Sequence, residues 1–302
     1  MSRSGVIDIV VNPLTPRILA ARPDWSRGFY TGKIGRAPAD VESVTLEKML
    51  AQMDAAGIER AFLISCKVGQ LGLPGSWHLP EEWIAEAVAE YPHRFSGLAG
   101  IDPTQGMNGV RLLEHAVTKL GFIGAHTYPH WFELPPNDRK YYPFYTKCCE
   151  LGIPIQTQVG QSLVYYSERP LRSVGRPIYL DDIACDFPEL KIVGIHVGIP
   201  WHDEMIAMAW KHENVFIGSD AHSPKYWPAS FVHYLKTYGR RKVMFGTDYP
   251  VLAFERTIRE IGDLDLSSEV EDLFLRENAA RVYGLVSGAV RHAPAAAGNG
   301  PT

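Results

Sequence analysis

Eight short runs rich in Val, Ile and Phe, at roughly 5–12, 60–66, 95–101, 122–128, 153–159, 190–197, 214–219 and 242–247, alternate along this chain with segments of helical spacing. Ile192-Val193-Gly194-Ile195 is apolar on both faces, as a strand buried on both sides must be. Between the runs, Leu46, Met49, Leu50 and Met53 share one helical face that closes at Gly57, and Leu113, Ala116, Val117 and Leu120 do the same before Gly121. Glu81 and Glu82 follow Pro80 as the acidic first turn of a further helix. Parallel strands need crossovers, so repeated βα units in this number predict an α/β protein: a (β/α)8 TIM-like barrel, one domain over residues 1–287. An open doubly wound sheet is the rival, but it brings a Gly-rich phosphate turn after its first strand, and Asn12-Pro13-Leu14-Thr15-Pro16 is no such turn. Two longer insertions, about 13–44 and 160–178, follow the first and fifth strands and are expected to roof a site. Residues 288–302, ending Ala-Pro-Ala-Ala-Ala-Gly-Asn-Gly-Pro-Thr, are mostly small and are expected to form a disordered tail.

Composition narrows the function more than the fold. Hydrophobic residues at 46% and charged residues at 21% describe a protein with a large core. With 30 basic against 34 acidic side chains and no Lys/Arg block, nucleic acid is excluded as an expected partner. No apolar stretch reaches membrane-spanning length and the N-terminus lacks a signal-peptide core, so the expectation is a cytoplasmic protein with no membrane partner. Cys66, Cys148, Cys149 and Cys185 have no CxxC spacing and read as reduced thiols. Neither an HExxH helix nor a GxSxG elbow is present.

The chemistry lies at the carboxyl ends of the strands, where barrel enzymes place their catalytic groups. His196 ends the sixth run and Asp248 follows the eighth. His196 could be a core histidine bonded to backbone, whereas a carboxylate directly after a buried strand must be paired or used. His126 and Tyr128 share a face by the two-residue strand period, with His130 just beyond. Asn12 and Gln158 end the first and fifth runs. Asp220 and His222 stand in Ser-Asp-Ala-His-Ser-Pro, which also reads as a capped turn. Arg169, Arg172 and Arg176 in the second insertion suit a substrate carboxylate or phosphate, Arg172 being the candidate taken forward. Trp131, Trp201 and Trp227 follow strands four, six and seven, where they could wall an aromatic site.

These motifs carry a resemblance. Gly-Phe-Ile-Gly-Ala-His-Thr-Tyr-Pro, Phe-Pro-Glu-Leu-Lys-Ile-Val-Gly-Ile-His-Val-Gly-Ile-Pro-Trp and Arg-Lys-Val-Met-Phe-Gly-Thr-Asp-Tyr-Pro resemble the amidohydrolase superfamily over about residues 5–285. The branch most alike is the one related to aminocarboxymuconate semialdehyde decarboxylase and the aromatic-acid decarboxylases. That resemblance implies a (β/α)8 barrel and one divalent metal held by a His-x-His pair on strand one, a His on strand five and the Asp on strand eight. Here those positions read Val10, Asn12, Gln158 and Asp248, so three of the four protein ligands are replaced. Valine offers no donor and amides bind weakly through oxygen, so the expectation is a centre without a metal cofactor. If zinc or another divalent ion were bound, Asp248 and His196 would be the ligands left.

The resemblance includes lactone-hydrolysing relatives that use no metal. It implies a hydrolase in which Asp248 is general base and His196 an acid or electrophile. The expected substrate is an aromatic or carboxylated intermediate, attacked at a lactone, an ester, or the C–C bond of a β-dicarbonyl or β-ketoacyl thioester. Asn12, His126, Tyr128, His130, Gln158, Arg172, Trp201 and His222 are the expected substrate contacts. The rivals are a metal-dependent decarboxylase of an aromatic acid and a small-molecule binding barrel that has lost catalysis. A homodimer is compatible with such barrels by analogy.

Overall fold

The computed structural model describes residues 5–285. Its main sheet has eight strands: β1 (Val6–Val11), β2 (Ile58–Ile64), β3 (Phe95–Gly100), β4 (Gly124–Thr127), β5 (Ile155–Gln158), β6 (Ile192–Ile195), β7 (Val215–Gly218) and β8 (Val243–Met244). Each pairs in parallel with its neighbour in chain order. The eight predicted runs are thus the eight strands of a nearly closed TIM barrel. Every residue of β1, β4, β6 and β7 is buried, which is why β6 and β7 carry apolar residues on both faces. The helix Leu46–Ala55 buries Met49, Leu50 and Met53 against the barrel and is capped by the Thr45 hydroxyl. The helix Met107–Thr118 does the same with Val110, Leu113 and Ala116.

The seam between β8 and β1 is closed largely outside the regular ladder. Ile9 N–H donates to Phe245 O at 3.1 Å and Asn12 N–H to Tyr249 O at 2.8 Å. Between them lies the fully buried Asp8 carboxyl. Its Oδ1 accepts from Val10 N and Thr247 N, both at 3.1 Å, and its Oδ2 accepts from the Thr247 hydroxyl at 2.6 Å. A side chain here replaces missing ladder bonds. Asp8→Ala leaves buried donors unpaired at about 1–3 kcal/mol each, so urea unfolding should show a loss of about 3 kcal/mol or more; an unchanged midpoint would show that the seam does not need this carboxyl.

The first insertion folds as short helices, Pro16–Ala21 and Asp24–Gly28, running into the helical turn Phe29–Lys33. The second is an irregular strap whose ends are pinned where Gly160 N–H donates to Gly175 O at 2.7 Å. Both lie over the carboxyl ends of the strands, as expected of a roof. A two-stranded ribbon, Lys67–Val68 with Trp77–His78, follows β2 and was not legible as a strand pair because each arm has only two residues. Among the described residues no helix is long and apolar enough to cross a membrane. The expected tail at 288–302 lies outside the described residues.

Candidate active site

At the mouth of the barrel, the chain leaves β6, β7 and β8 through residues in left-handed backbone. His196 has φ 70°, Ala221 67° and Asp248 54°. Non-glycine residues pay about 1–2 kcal/mol for that conformation, so its recurrence at three strand ends marks a constrained site. The turns bring three chemical groups together. His196 Nε2 lies 3.2 Å from Asp220 Oδ2 and 3.7 Å from Asp248 Oδ2. Asp220 Oδ1 also accepts the His196 backbone N–H at 3.1 Å, and Asn12 Nδ2 donates to Asp248 Oδ1 at 2.8 Å. The first carboxylate thereby fixes the histidine, and the amide fixes the second.

Burial dominates the electrostatics of this cluster. It pushes the His196 imidazole down to about 4, so the ring is neutral at pH 7. It pushes Asp220 up to about 7, and with the charge of Asp220 alongside it holds Asp248 well above the usual carboxylate range. Arg22 acts in the opposite sense on Asp248.

His196 and Asp248 open onto a cavity of about 120 Å³ that both insertions help to line. Asn12, Tyr128, His130, Gln158 and His222 line it too, so five of the eight expected contacts face the same space as the pair. His130 Nδ1 accepts from Val174 N at 3.1 Å, and burial lowers its pKa to about 4, so the neutral ring carries its proton on Nε2. Trp25 and Trp131 stack with centroids 4.7 Å apart on one wall.

The other three expected contacts lie elsewhere. His126 is fully buried below the cavity, with its ring 4.4 Å from that of Tyr128 and its Nδ1 3.0 Å from Gln156 Oε1. Gln156 spends its Nε2 on Ile9 O and Tyr283 Oη, so this oxygen accepts and His126 Nδ1 donates. The strand period does put His126 and Tyr128 on one face, but only the outer of the two reaches the mouth. Arg172 is 84% exposed and pairs with Glu133, and Trp201 lies beneath Arg176 away from the cavity. Arg169 donates to Trp131 O at 2.6 Å and to Ser76 Oγ, fastening the strap instead of facing a ligand.

The arginine that does line the cavity is Arg22, from the first insertion. Its Nη1 donates to Tyr30 Oη at 2.9 Å and its guanidinium lies over the Trp77 ring, while Nε and Nη2 are sheltered and have no hydrogen-bond partner among the described residues. Nothing in the spacing of Arg22-Pro23 distinguishes it from other loop arginines. Cys66 was likewise unmarked; it lines the cavity with Sγ 3.3 Å from Asn12 Oδ1 and 3.2 Å from Tyr128 Oη. Asp220 was visible in its motif, but the turn it caps hid its contact with His196.

The donor positions that the resemblance assigns to a metal do not re-form. Val10 is a buried aliphatic, and Asn12 turns its N–H, not its oxygen, toward Asp248. A different set is present instead: one donor atom each from His196, Asp220 and Asp248, all within 4.8 Å of one another.

Comparison with known proteins agrees with this architecture. A family model described as amidohydrolase matches residues 7–285. A 2-keto-4-carboxy-3-hexenedioate hydratase from Sphingobium sp. (strain NBRC 103272 / SYK-6) is 30% identical over 166 residues, which is 47% of this chain and 47% of the relative, so the match spans about half the length of that protein. A TIM-barrel protein from Bordetella bronchiseptica superposes with a TM-score of 0.77 at 22% identity, covering 92% of this chain and 98% of that one. A 5-carboxyvanillate decarboxylase from Novosphingobium aromaticivorans, complexed with manganese and a nitrobenzoic acid, gives 0.70 at 17% identity over 94% and 99% of the two chains.

Proposed function

The chain belongs to the amidohydrolase family, and on that premise we propose that it is a hydrolase that attacks a carbonyl group in a small, carboxylated, ring-bearing substrate. The observation that carries this reading is the convergence of His196 and Asp248, 3.7 Å apart, on a cavity lined by Arg22, whose Nε and Nη2 are buried without a partner among the described residues. A substrate carboxylate pairs with Arg22 through charge-assisted bonds, and the Trp25–Trp131 wall accepts an apolar ring. Asp248 takes a proton from the attacking water at Oδ2, while its Oδ1 stays bonded to Asn12. His196, kept neutral by burial, places Nε2 toward the oxygen on which charge develops. Tyr128 and Gln158 complete the polar lining, and the strap adds Gln161, Ser162, Leu163 and Val164 to the same wall.

These are the roles of the cluster without an ion. A divalent cation, when bound, would be held by His196, Asp220 and Asp248 and would supply a Lewis acid for the carbonyl oxygen.

The test is an activity screen over lactones, aryl β-ketoacyl thioesters and hydroxybenzoates, each paired with an analogue that lacks the free carboxylate. Hydrolysis of a carboxylated lactone or thioester, with the carboxylate-free partner turned over far more slowly, is the expected result. Release of CO2 from a hydroxybenzoate with every lactone and thioester untouched would overturn it. A second reading, water addition to a carboxylated enoyl compound, draws support from the hydratase at 30% identity and uses the same proton-handling atoms; a conjugated enedioate belongs in the same screen.

A further inference from the structure

We infer that His196, Asp220 and Asp248 form a cation site of their own, in which a carboxylate from the end of β7 takes the place of the ligands that β1 and β5 lack. The inference rests on reading this cluster as the reactive centre, though not on which bond is broken there.

Geometry separates a cation site from a hydrogen-bonded cluster. His196 Nε2 and Asp220 Oδ2 are 3.2 Å apart, yet neither has an aligned hydrogen bond to any partner among the described residues. Asp220 is fully buried, so no bulk water satisfies its Oδ2. Two atoms that stand this close without an aligned bond between them are both open to a shared partner. Donors held about 2.0–2.2 Å from one ion, and about 90–120° apart around it, are separated by about 2.8–3.8 Å. The observed 3.2 and 3.7 Å fall inside that window.

Charge points the same way. Asp220 and Asp248 stand together with Asp8 nearby, and Arg22 is the positive group that offsets them at Asp248. Leaving buried carboxylates uncompensated costs several kcal/mol per ion, and a divalent cation offsets two of them at once. The access is also right. Asp220 closes the inner side with its side chain 0% exposed, whereas His196 and Asp248, each 16% exposed, face the cavity, so the outer positions of an ion would meet substrate. One imidazole with two carboxylates suits a borderline first-row ion such as Zn²⁺ or Mn²⁺, and it is too few oxygens for Ca²⁺.

A second group, Asp181, Cys185 and His212, could trap thiophilic ions at the surface, although Lys211 already pairs with Asp181. The experiment therefore uses the 302-residue chain carrying Cys185→Ser. Chelator-stripped protein is titrated with ZnCl2 and separately with MnCl2, bound metal is counted by elemental analysis after dialysis, and thermal unfolding is followed with and without metal. One ion per chain is expected, with Tm rising on saturation. Adding Asp220→Asn should weaken affinity by about 100-fold or more, the upper end of what even outer-shell changes cost, and abolish the Tm rise. His196→Gln gives the same comparison if Asp220→Asn fails to fold. No saturable binding, or binding that both variants leave unchanged, overturns the inference. Because the readouts are stoichiometry and Tm, a blank activity screen would count against the proposed reaction and leave this result standing.

Discussion

Asparagine in place of Asp248 abolishes turnover, lowering kcat by about 10³-fold or more, while the protein remains folded. The size follows from removing the group proposed to take the proton; general-base catalysis alone is worth about 10²–10⁴-fold. The fold survives because asparagine keeps the oxygen that accepts from Asn12 Nδ2 and replaces a carboxyl held in a buried, like-charged setting. Tm should therefore not fall. Steady-state kinetics with thermal unfolding on the same samples provides the check, and retained turnover in a well-folded Asp248→Asn protein would remove Asp248 from the chemistry.

Arg22→Ala produces the second large effect, expressed in substrate selection. Two charge-assisted hydrogen bonds at about 1.5–3 kcal/mol each correspond to a drop of about 10²–10⁴-fold in kcat/KM for a carboxylated substrate, most of it in KM. A carboxylate-free analogue, already poor, should change by less than about threefold, since truncation removes only an interaction it never made. Lysine at this position should recover part of the loss, because a point charge cannot reproduce the planar fork. An equal loss for both substrates would mean that Arg22 acts by packing over Trp77 and supporting Tyr30, and the anchoring role would fall.

The candidate site was partly legible, and the division has physical causes. His196 and Asp248 could be read because each terminates a strongly apolar run, and a polar group there has few uses other than chemistry. Asn12, Tyr128, His130, Gln158 and His222 could be placed at the same mouth by counting from strand ends. His126 shows the limit of that counting: the strand period fixes the face but not the depth, and depth decides between a cavity wall and a core hydrogen bond to Gln156. Arg172 and Trp201 show another limit. Loop residues have no period, and their chemistry alone did not reveal that Glu133 and Arg176 would engage them.

The arginine question illustrates how tertiary structure reverses a plausible reading. The cluster at 169, 172 and 176 looked like an anion receptor, yet each member spends its charge within the protein, on Trp131 O, Glu133 and Glu204. Arg22, unremarkable in sequence, keeps two sheltered nitrogens without a partner among the described residues. Partner supply, not residue type, selects the receptor.

By itself the sequence determined the number of strands and their parallel order, and it set the expectations that chemistry lies at the mouth and that the donors on β1 and β5 are lost. Those features are local: burial on both faces dictates apolar runs, and strand ends dictate where polar groups emerge. Only the tertiary structure decided that Asp220 joins His196 and Asp248, that Asn12 orients Asp248, and that the first insertion delivers Arg22. Each of these depends on distances between segments far apart in the chain, set by barrel closure and by left-handed turns at three strand ends. No one-dimensional pattern records such distances.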